Sequence, residues 1–200
     1  MPPVSDILAR VLASSDATVG GGSASALAGA MAAGLAGMVA RLSVGRGLEF
    51  SDAEYEAAVV EADALARTLH AGAEEDAGAY SLVKNAYRLP RGTEADVTAR
   101  ELAVHDALIA AALVPLENAR RSLRVLDLCV QLGESANEAA ASDLAAAWLL
   151  ADAAVQGCLL NVDVNLEHLT DSMPAARLRH EADSVRIRHA RLSAPPKERA

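Results

Sequence analysis

The stretch Gly20-Gly21-Gly22-Ser23-Ala24-Ser25-Ala26 opens a run that carries no charge from Ser23 to Ala40 and consists almost wholly of Ala, Gly, Ser, Leu and Met. Consecutive glycines let the chain turn through backbone angles closed to other residues and let another group approach without meeting a Cβ. Ser23 is placed to cap the helix that follows, whose first N–H groups lack a helical partner and suit an anion or a polar ring edge. Along that helix Ser25, Gly29, Ala33 and Gly37 recur every four residues. Such a strip of small side chains lets a second helix pack at a distance limited only by backbone. The run is close to bilayer-spanning length, but Ala and Gly make it weakly apolar and no aromatic belt flanks it, so a soluble core helix is expected and no membrane role.

Working outward, a short amphipathic helix is expected over Ser5 to Ser14, with Ile7, Leu8, Val11 and Leu12 on one side. The glycine-started helix should run from Ser23 to Val44 and stop in Gly45-Arg46-Gly47. Ser51 and Glu54 form a capping box in sequence, predicting a third helix towards Leu89 that Pro90 ends. Thr93 caps a fourth helix to Leu132, with a kink at Pro115. Ser142-Asp143 opens a fifth, strongly apolar helix to Leu169, and Asp171-Ser172-Met173-Pro174 breaks the chain before a last, Arg-rich helix. No repeat and no strand is visible. The expectation is an all-α, up-and-down bundle of five to six helices, residues 1–192 forming one domain and 193–200 a frayed tail.

Composition agrees with that class. Hydrophobic residues make up 52% of the chain and aromatic residues only 2%, so the core must be close-packed Ala, Leu and Val, poor material for a sheet. The net charge of −9 removes electrostatic support for nucleic-acid binding. Among basic residues all but Lys84 and Lys197 are arginine; Arg120, Arg121 and Arg124 suit either an anionic ligand tail or a solvated face paired with Glu117 and Asp127. Cys129 and Cys158 read as core thiols, and Met1 to Asp6 lack a signal-peptide pattern, so the expected location is cytoplasmic. None of the five histidines has metal-ligand spacing, and no P-loop, nucleophile elbow or dinucleotide fingerprint occurs; no metal is expected.

Two places carry candidate chemistry beside the glycine turn. Asp76, Tyr80, Lys84 and Tyr87 follow at steps of four, four and three, which sets a carboxylate, two phenols and an ammonium on one helical stripe. That stripe is either plain surface or one wall of a polar cleft. Ser142 and Asp143 either cap the fifth helix or bring an acid to a buried wall. Asn161 lies eighteen residues, or five full turns, beyond Asp143, on the same face but about 27 Å away. Asn161 and Asn165 therefore cannot share atoms with Asp143 unless a second subunit or a long ligand joins the two ends.

In this order the pieces resemble the cyclodeaminase/cyclohydrolase family of folate one-carbon enzymes over about residues 5 to 172. The carriers are Gly20-Gly21-Gly22-Ser23, Asp76-Ala77-Gly78-Ala79-Tyr80, Tyr87-Arg88-Leu89-Pro90, Pro115-Leu116, Ser142-Asp143-Leu144, Asn161-Val162 and Asn165-Leu166. The resemblance implies an all-helical homodimer acting on a tetrahydrofolate derivative as substrate, with no prosthetic group. The expected reaction is hydrolysis of 5,10-methenyltetrahydrofolate to the 10-formyl compound, or deamination of 5-formiminotetrahydrofolate. It implies Asp143 and Asp76 as the catalytic carboxylates, with Gly20, Gly21, Gly22, Ser23, Tyr80, Lys84, Ser142, Asn161 and Asn165 binding substrate. Three positions depart from the family pattern: Val19 where a proline is usual, Lys84 at an apolar position, and Ala136-Asn137-Glu138-Ala139 in the connector. These keep open a non-catalytic folate binder, a dimeric scaffold, or a formimino or amidine substrate outside folate metabolism.

Overall fold

A computed structural model describes residues 6–13, 15–133, 135–169 and 172–192. The described residues form six α-helices: α1 (Asp6–Leu12), α2 (Gly21–Ser43), α3 (Asp52–Ala86), α4 (Glu94–Gly133), α5 (Ala141–Glu167) and α6 (Met173–Arg191), with one 3-10 turn over Glu138–Ala140. The fold expected from sequence, all-helical and up-and-down, is the one observed. Helix limits fall within a few residues of the sequence reading. Its calls at Ser5, Ser14, Asp171 and the tail from Ser193 lie outside the described residues.

Neighbours in the bundle run antiparallel, as cross-contacts show. Gly22 lies against Asp76, Gly29 against Leu69 and Gly37 against Ala62, so α2 and α3 oppose one another. Gly21 lies against Asn161 and Gly29 also meets Ala154, which sets α5 antiparallel to α2 on its other side. The small strip does what its spacing predicts: a Cβ added at Gly29 would stand 2.6 Å from Ser122 Oγ, and one at Gly37 would stand 3.0 Å from Ala62 Cβ. Helices α2 to α5 thus enclose one alanine- and leucine-rich core, including Leu69, Leu116, Leu126, Val155 and Val162. A small satellite cluster of Ile7, Ala26, Leu27, Ala73 and Ala77 seats α1 against the start of α2.

Local chemistry fixes the ends. Ser51 and Glu54 make the predicted capping box, with Ser51 N–H donating to Glu54 Oε2 at 2.8 Å. Gly45 and Gly47 take φ of +72° and +63°, a region L side chains seldom adopt, and so end α2. The connector after α4 is tied to that end of α2: Asn137 N–H donates to Ser43 Oγ at 3.0 Å and Asn137 Nδ2 to the Leu42 carbonyl at 3.2 Å. Helix α4 continues as helix through Pro115. The arginine cluster is spent on partners within the bundle: Arg124 grips Glu61 on α3 through two nitrogens, Arg120 joins Glu117 on its own helix to Glu181 on α6, and Arg121 donates to Asn118 on its own helix. Glu117 is one of the partners read from sequence, while Asp127 pairs with Arg188 instead.

Helices α2 and, with its leading 3-10 turn, α5 are each long and apolar enough to cross a membrane by length and composition. About half of each apolar window, 56% and 44%, is buried within the bundle. The rest is half-buried or exposed.

Candidate active site

The glycine turn delivers its chain to the start of α2, where three elements meet. Gly20 is the N-cap residue in extended conformation and makes no side-chain cap bond. Ser23 is fully buried, and the capping role read from sequence does not hold: it sits in the third helical position, one turn too late. Its Oγ instead lies 2.9 Å from Asp76 Oδ2 and 3.0 Å from the Ala73 carbonyl, donating across to α3. The anion at the start of α2 is therefore the chain's own Asp76. Gly22 makes that possible, because a Cβ there would come within 2.7 Å of Asp76 Cγ.

Asp76 is half-buried, and desolvation pushes its carboxyl above the ordinary range, against hydrogen bonds from the Ser23 hydroxyl and N–H that pull it down. The Cys158 thiol on α5 is pushed up to about 12, chiefly by burial and secondarily by the Asp76 charge. It stays protonated, an inert wall rather than a nucleophile.

Asp76 opens into a cleft of about 240 Å³ lined by Gly20, Gly22, Tyr80, Asn161 and Asn165, together with Ala17, Thr18, Ala111 and Val164. The two asparagines present acceptors. Asn161 Nδ2 donates to the Gly157 carbonyl at 2.8 Å; Asn165 Nδ2 donates to the Asn161 and Ala111 carbonyls at 2.8 and 3.0 Å. Carbonyls only accept, so each amide orientation is forced and each Oδ1 is directed away from those bonds. Tyr80 is 48% exposed and forms the outer wall. A cleft smaller than the ~300–1,000 Å³ that swallow a drug-sized ligand suits one polar ring system with its remainder outside.

The roof is the loop before Gly20. Arg10 Nε donates to Asp16 Oδ2 at 2.8 Å and Arg10 Nη2 to Thr18 Oγ1 at 3.1 Å, while Thr18 donates through N–H and Oγ1 to Asp16 Oδ1 at 2.9 and 2.5 Å. The Thr18 hydroxyl, then Arg10, hold the Asp16 carboxyl down at about 2.

Sequence reasoning named Gly20, Gly22, Asp76, Tyr80, Asn161 and Asn165, and the fold brings these to one place. Gly21 borders it, 3.5 Å from Asn161 Nδ2 if given a Cβ. Lys84 lies one turn beyond Tyr80, exposed, outside the lining, and Tyr87 faces Arg100 at 5.3 Å. Ser142 and Asp143 stand at the other end of the bundle, in the first turn of α5, and neither caps it: the N-cap residue is Ala140, with no side-chain cap bond. Ala17, Thr18, Ala111 and Val164 were missed. Only Ala111 left a signal, as the residue four before Pro115. Among the described residues no group of three or more His, Cys, Asp and Glu side chains is placed to hold a metal ion.

Comparison with known proteins gives this geometry a family. The sequence profile of formiminotransferase-cyclodeaminase matches residues 5–184. A methenyltetrahydrofolate cyclohydrolase from Methylorubrum extorquens is 37% identical over 161 residues, covering 80% of this chain and 77% of that one. The formimidoyltransferase-cyclodeaminase of Sus scrofa is 31% identical over 88% of this chain, which spans 33% of the length of that longer relative. Among solved structures, the formiminotetrahydrofolate cyclodeaminase of Thermotoga maritima superposes with a TM-score of 0.82 at 27% identity, covering 94% of this chain and 91% of the other. The chain belongs to the formiminotransferase-cyclodeaminase family.

Proposed function

We propose that the protein is a folate one-carbon enzyme that hydrolyses 5,10-methenyltetrahydrofolate to 10-formyltetrahydrofolate, with Asp76 as the acid/base. The observation that carries this is Asp76 itself, a half-buried carboxylate with a raised pKa, fixed by Ser23 at the floor of a cleft with a glycine edge. The methenyl substrate is a cation whose bridging carbon is electrophilic. A carboxylate beside it stabilises that charge, and one whose burial raises its affinity for a proton is a stronger base than a carboxylate in open water.

In the reaction, a water oxygen bonds to the methenyl carbon and its proton passes to Asp76. The proton then moves to N5 as the carbon–N5 bond breaks. The remaining hydroxyl loses its proton as the formyl carbonyl forms, so one proton is released overall. Asn161 and Asn165 offer Oδ1 acceptors to ring N–H groups, Tyr80 covers the ring, and Gly20 and Gly21 admit it without a Cβ in the way. Lys84, exposed beyond Tyr80, suits a glutamyl carboxylate on the part of the ligand outside the cleft. We assign the working unit as a homodimer, on the outward apolar faces of α2 and α5. The similarity to the Methylorubrum cyclohydrolase supports hydrolysis. The similarity to the Thermotoga cyclodeaminase favours a second reading, in which N10 attacks a formimino carbon and ammonia leaves.

The test is absorbance decay of 5,10-methenyltetrahydrofolate with purified protein, paired with ammonia release from 5-formiminotetrahydrofolate and calorimetry with tetrahydrofolate. Methenyl decay above the uncatalysed rate supports hydrolysis, and ammonia release supports deamination. Binding without turnover makes the protein a folate carrier. No binding and no turnover would overturn the reading.

A further inference from the structure

The end of the bundle that holds the cleft is uneven. Gly22, at the start of α2, lies against Asp76, but α3 continues for ten residues more, about 15 Å. Ala111, tied to Asn165 at the cleft, likewise has seventeen residues of α4 before it. The α3–α4 hairpin therefore overhangs the cleft, and one stripe leads up it. Tyr87 lies eleven residues, three full turns, beyond Asp76, with Tyr80 on the same stripe below it. Both phenols are about half exposed, and Val83 between them is half-buried. Arg100 reaches this stripe from α4: its guanidinium stands 5.3 Å over the Tyr87 ring and donates to the Tyr87 carbonyl at 3.4 Å.

The charge on this hairpin differs from that of the bundle below. There Arg10, Arg120, Arg124 and Arg186 each meet a carboxylate. Lys84, Arg88, Arg91 and Arg100 stand on the hairpin, and among the described residues none of the four has a carboxylate within ion-pair reach. Two of the hairpin's own acids turn elsewhere: Asp96 accepts from Thr93 N–H, and Asp106 lies against His105. A guanidinium carries five donors in a fixed fork, and Arg100 spends its own on one distant carbonyl. At net −9 the chain repels an anionic substrate over most of its surface, so unpaired cations beside the cleft supply an attraction the rest lacks.

The occupant follows from the reaction. A reduced folate with its pterin ring beside Asp76 carries an aryl amide and then a glutamyl dicarboxylate beyond N10, an arm apolar first and anionic at its end. The hairpin offers complements in that order, Tyr80, Val83 and Tyr87, then Arg100 and Lys84. Tyr80 and Tyr87 are seven residues apart, about 10 Å, a span that an aryl ring and one glutamyl residue bridge. We infer that this face of the α3–α4 hairpin seats the aryl–glutamyl arm of the substrate, with Arg100, held over Tyr87, as the fork for a glutamyl carboxylate and Lys84 as a second cation. This rests on the folate reading and deepens it.

Steady-state kinetics with two compounds tests it: 5,10-methenyltetrahydrofolate, and an analogue that ends at the N10 phenyl ring and carries no carboxylate. Arg100→Gln should raise KM for the full compound about tenfold, the size of one charge-assisted hydrogen bond, with kcat within about twofold of wild type. On the analogue, wild type and Arg100→Gln should share one KM, whereas a merely structural role for Arg100 would shift both compounds alike. Arg100→Lys keeps the charge without the fork and should fall between. Added salt should raise the wild-type KM for the full compound and move that of Arg100→Gln less. Should Arg100→Gln not fold, Lys84→Gln, at an exposed position, should show the same selectivity for the full compound. An unchanged KM for the full compound, or an equal rise on both compounds, overturns the inference while methenyl turnover leaves the folate reading standing. Wild-type protein that neither binds nor turns over either compound overturns the folate reading and this inference with it.

Discussion

Asn165 occupies the carbonyl that Pro115 leaves free. Proline has no N–H, so the Ala111 carbonyl four residues earlier loses its helical donor, and Asn165 Nδ2 reaches across from α5 to take it at 3.0 Å. The same bond orients the Asn165 amide in the cleft. Replacing Pro115 by Ala returns a competing N–H to Ala111. We expect Pro115→Ala to keep or raise thermal stability, because an interior helical proline is unfavourable by ~3 kcal/mol relative to alanine. We also expect it to raise KM several-fold as Asn165 loosens, a split that unfolding melts and steady-state kinetics on one preparation would show.

Gly22 and Asp76 compete for one volume. In Gly22→Ala the new Cβ meets the Asp76 carboxyl carbon at 2.7 Å, and a short, clamped side chain yields only by leaving its place. Overpacking of this kind costs about 1–3 kcal/mol. Turnover should fall on the order of a hundredfold as the carboxylate is displaced. Gly78→Ala is the control: it lies outside the cleft lining and nothing lies within 4 Å of its added Cβ. A Gly22→Ala enzyme of wild-type activity would show that Asp76 can be moved without consequence.

Asp76 also predicts a pH dependence of stability. Burial raises its folded pKa above the ordinary 3.8, so the folded protein binds that proton more tightly than the unfolded chain does. The resulting stabilisation is full below the unfolded value and is lost as pH rises through the folded one. Asn keeps an acceptor for Ser23 but never ionises. Asp76→Asn should therefore gain stability over wild type as pH rises from acid to neutral, read as a growing Tm difference; a difference that shrinks would contradict the buried, raised carboxyl. Ser23→Ala removes a bond that lowers this pKa, so the acid limb of the pH–rate profile should move to higher pH.

Asp16 runs the other way. Thr18 and Arg10 hold it at about 2, below the ordinary 3.8, so its contribution is present above the unfolded value and fades as pH falls towards 2. The stability gap between wild type and Asp16→Asn should close over that interval. At neutral pH, Arg10→Ala should speed hydrogen exchange at Ala17 and Thr18, because the loop roofing the cleft loses its tie to α1.

The fold was legible because its punctuation is local. Gly45, Gly47, Ser51 with Glu54, and Pro90 act within a turn of where they stand, and the four-residue strip from Ser25 to Gly37 announces a closely packed central helix before its partners are known. Part of the site was legible for the same reason: Asp76 and Tyr80 are one turn apart, as are Asn161 and Asn165. The rest depends on contacts between residues far apart in sequence. Ser23 looks like a cap, yet its hydroxyl turns to a residue fifty-three positions away. Arg10, Asp16 and Thr18 read as ordinary loop polarity until the roof they make is seen over the cleft. For Asp143, helical rise alone fixed its distance from Asn161, and one chain supplies no way across.

The most direct measurement is the kcat of Asp76→Asn for 5,10-methenyltetrahydrofolate, followed by absorbance on protein whose helix content and tetrahydrofolate binding match wild type. With Asp76 as the proton-handling group, kcat falls by roughly 10²–10⁴ while binding persists. A folded, folate-binding Asp76→Asn protein with turnover within about twofold of wild type would remove that carboxylate from the chemistry.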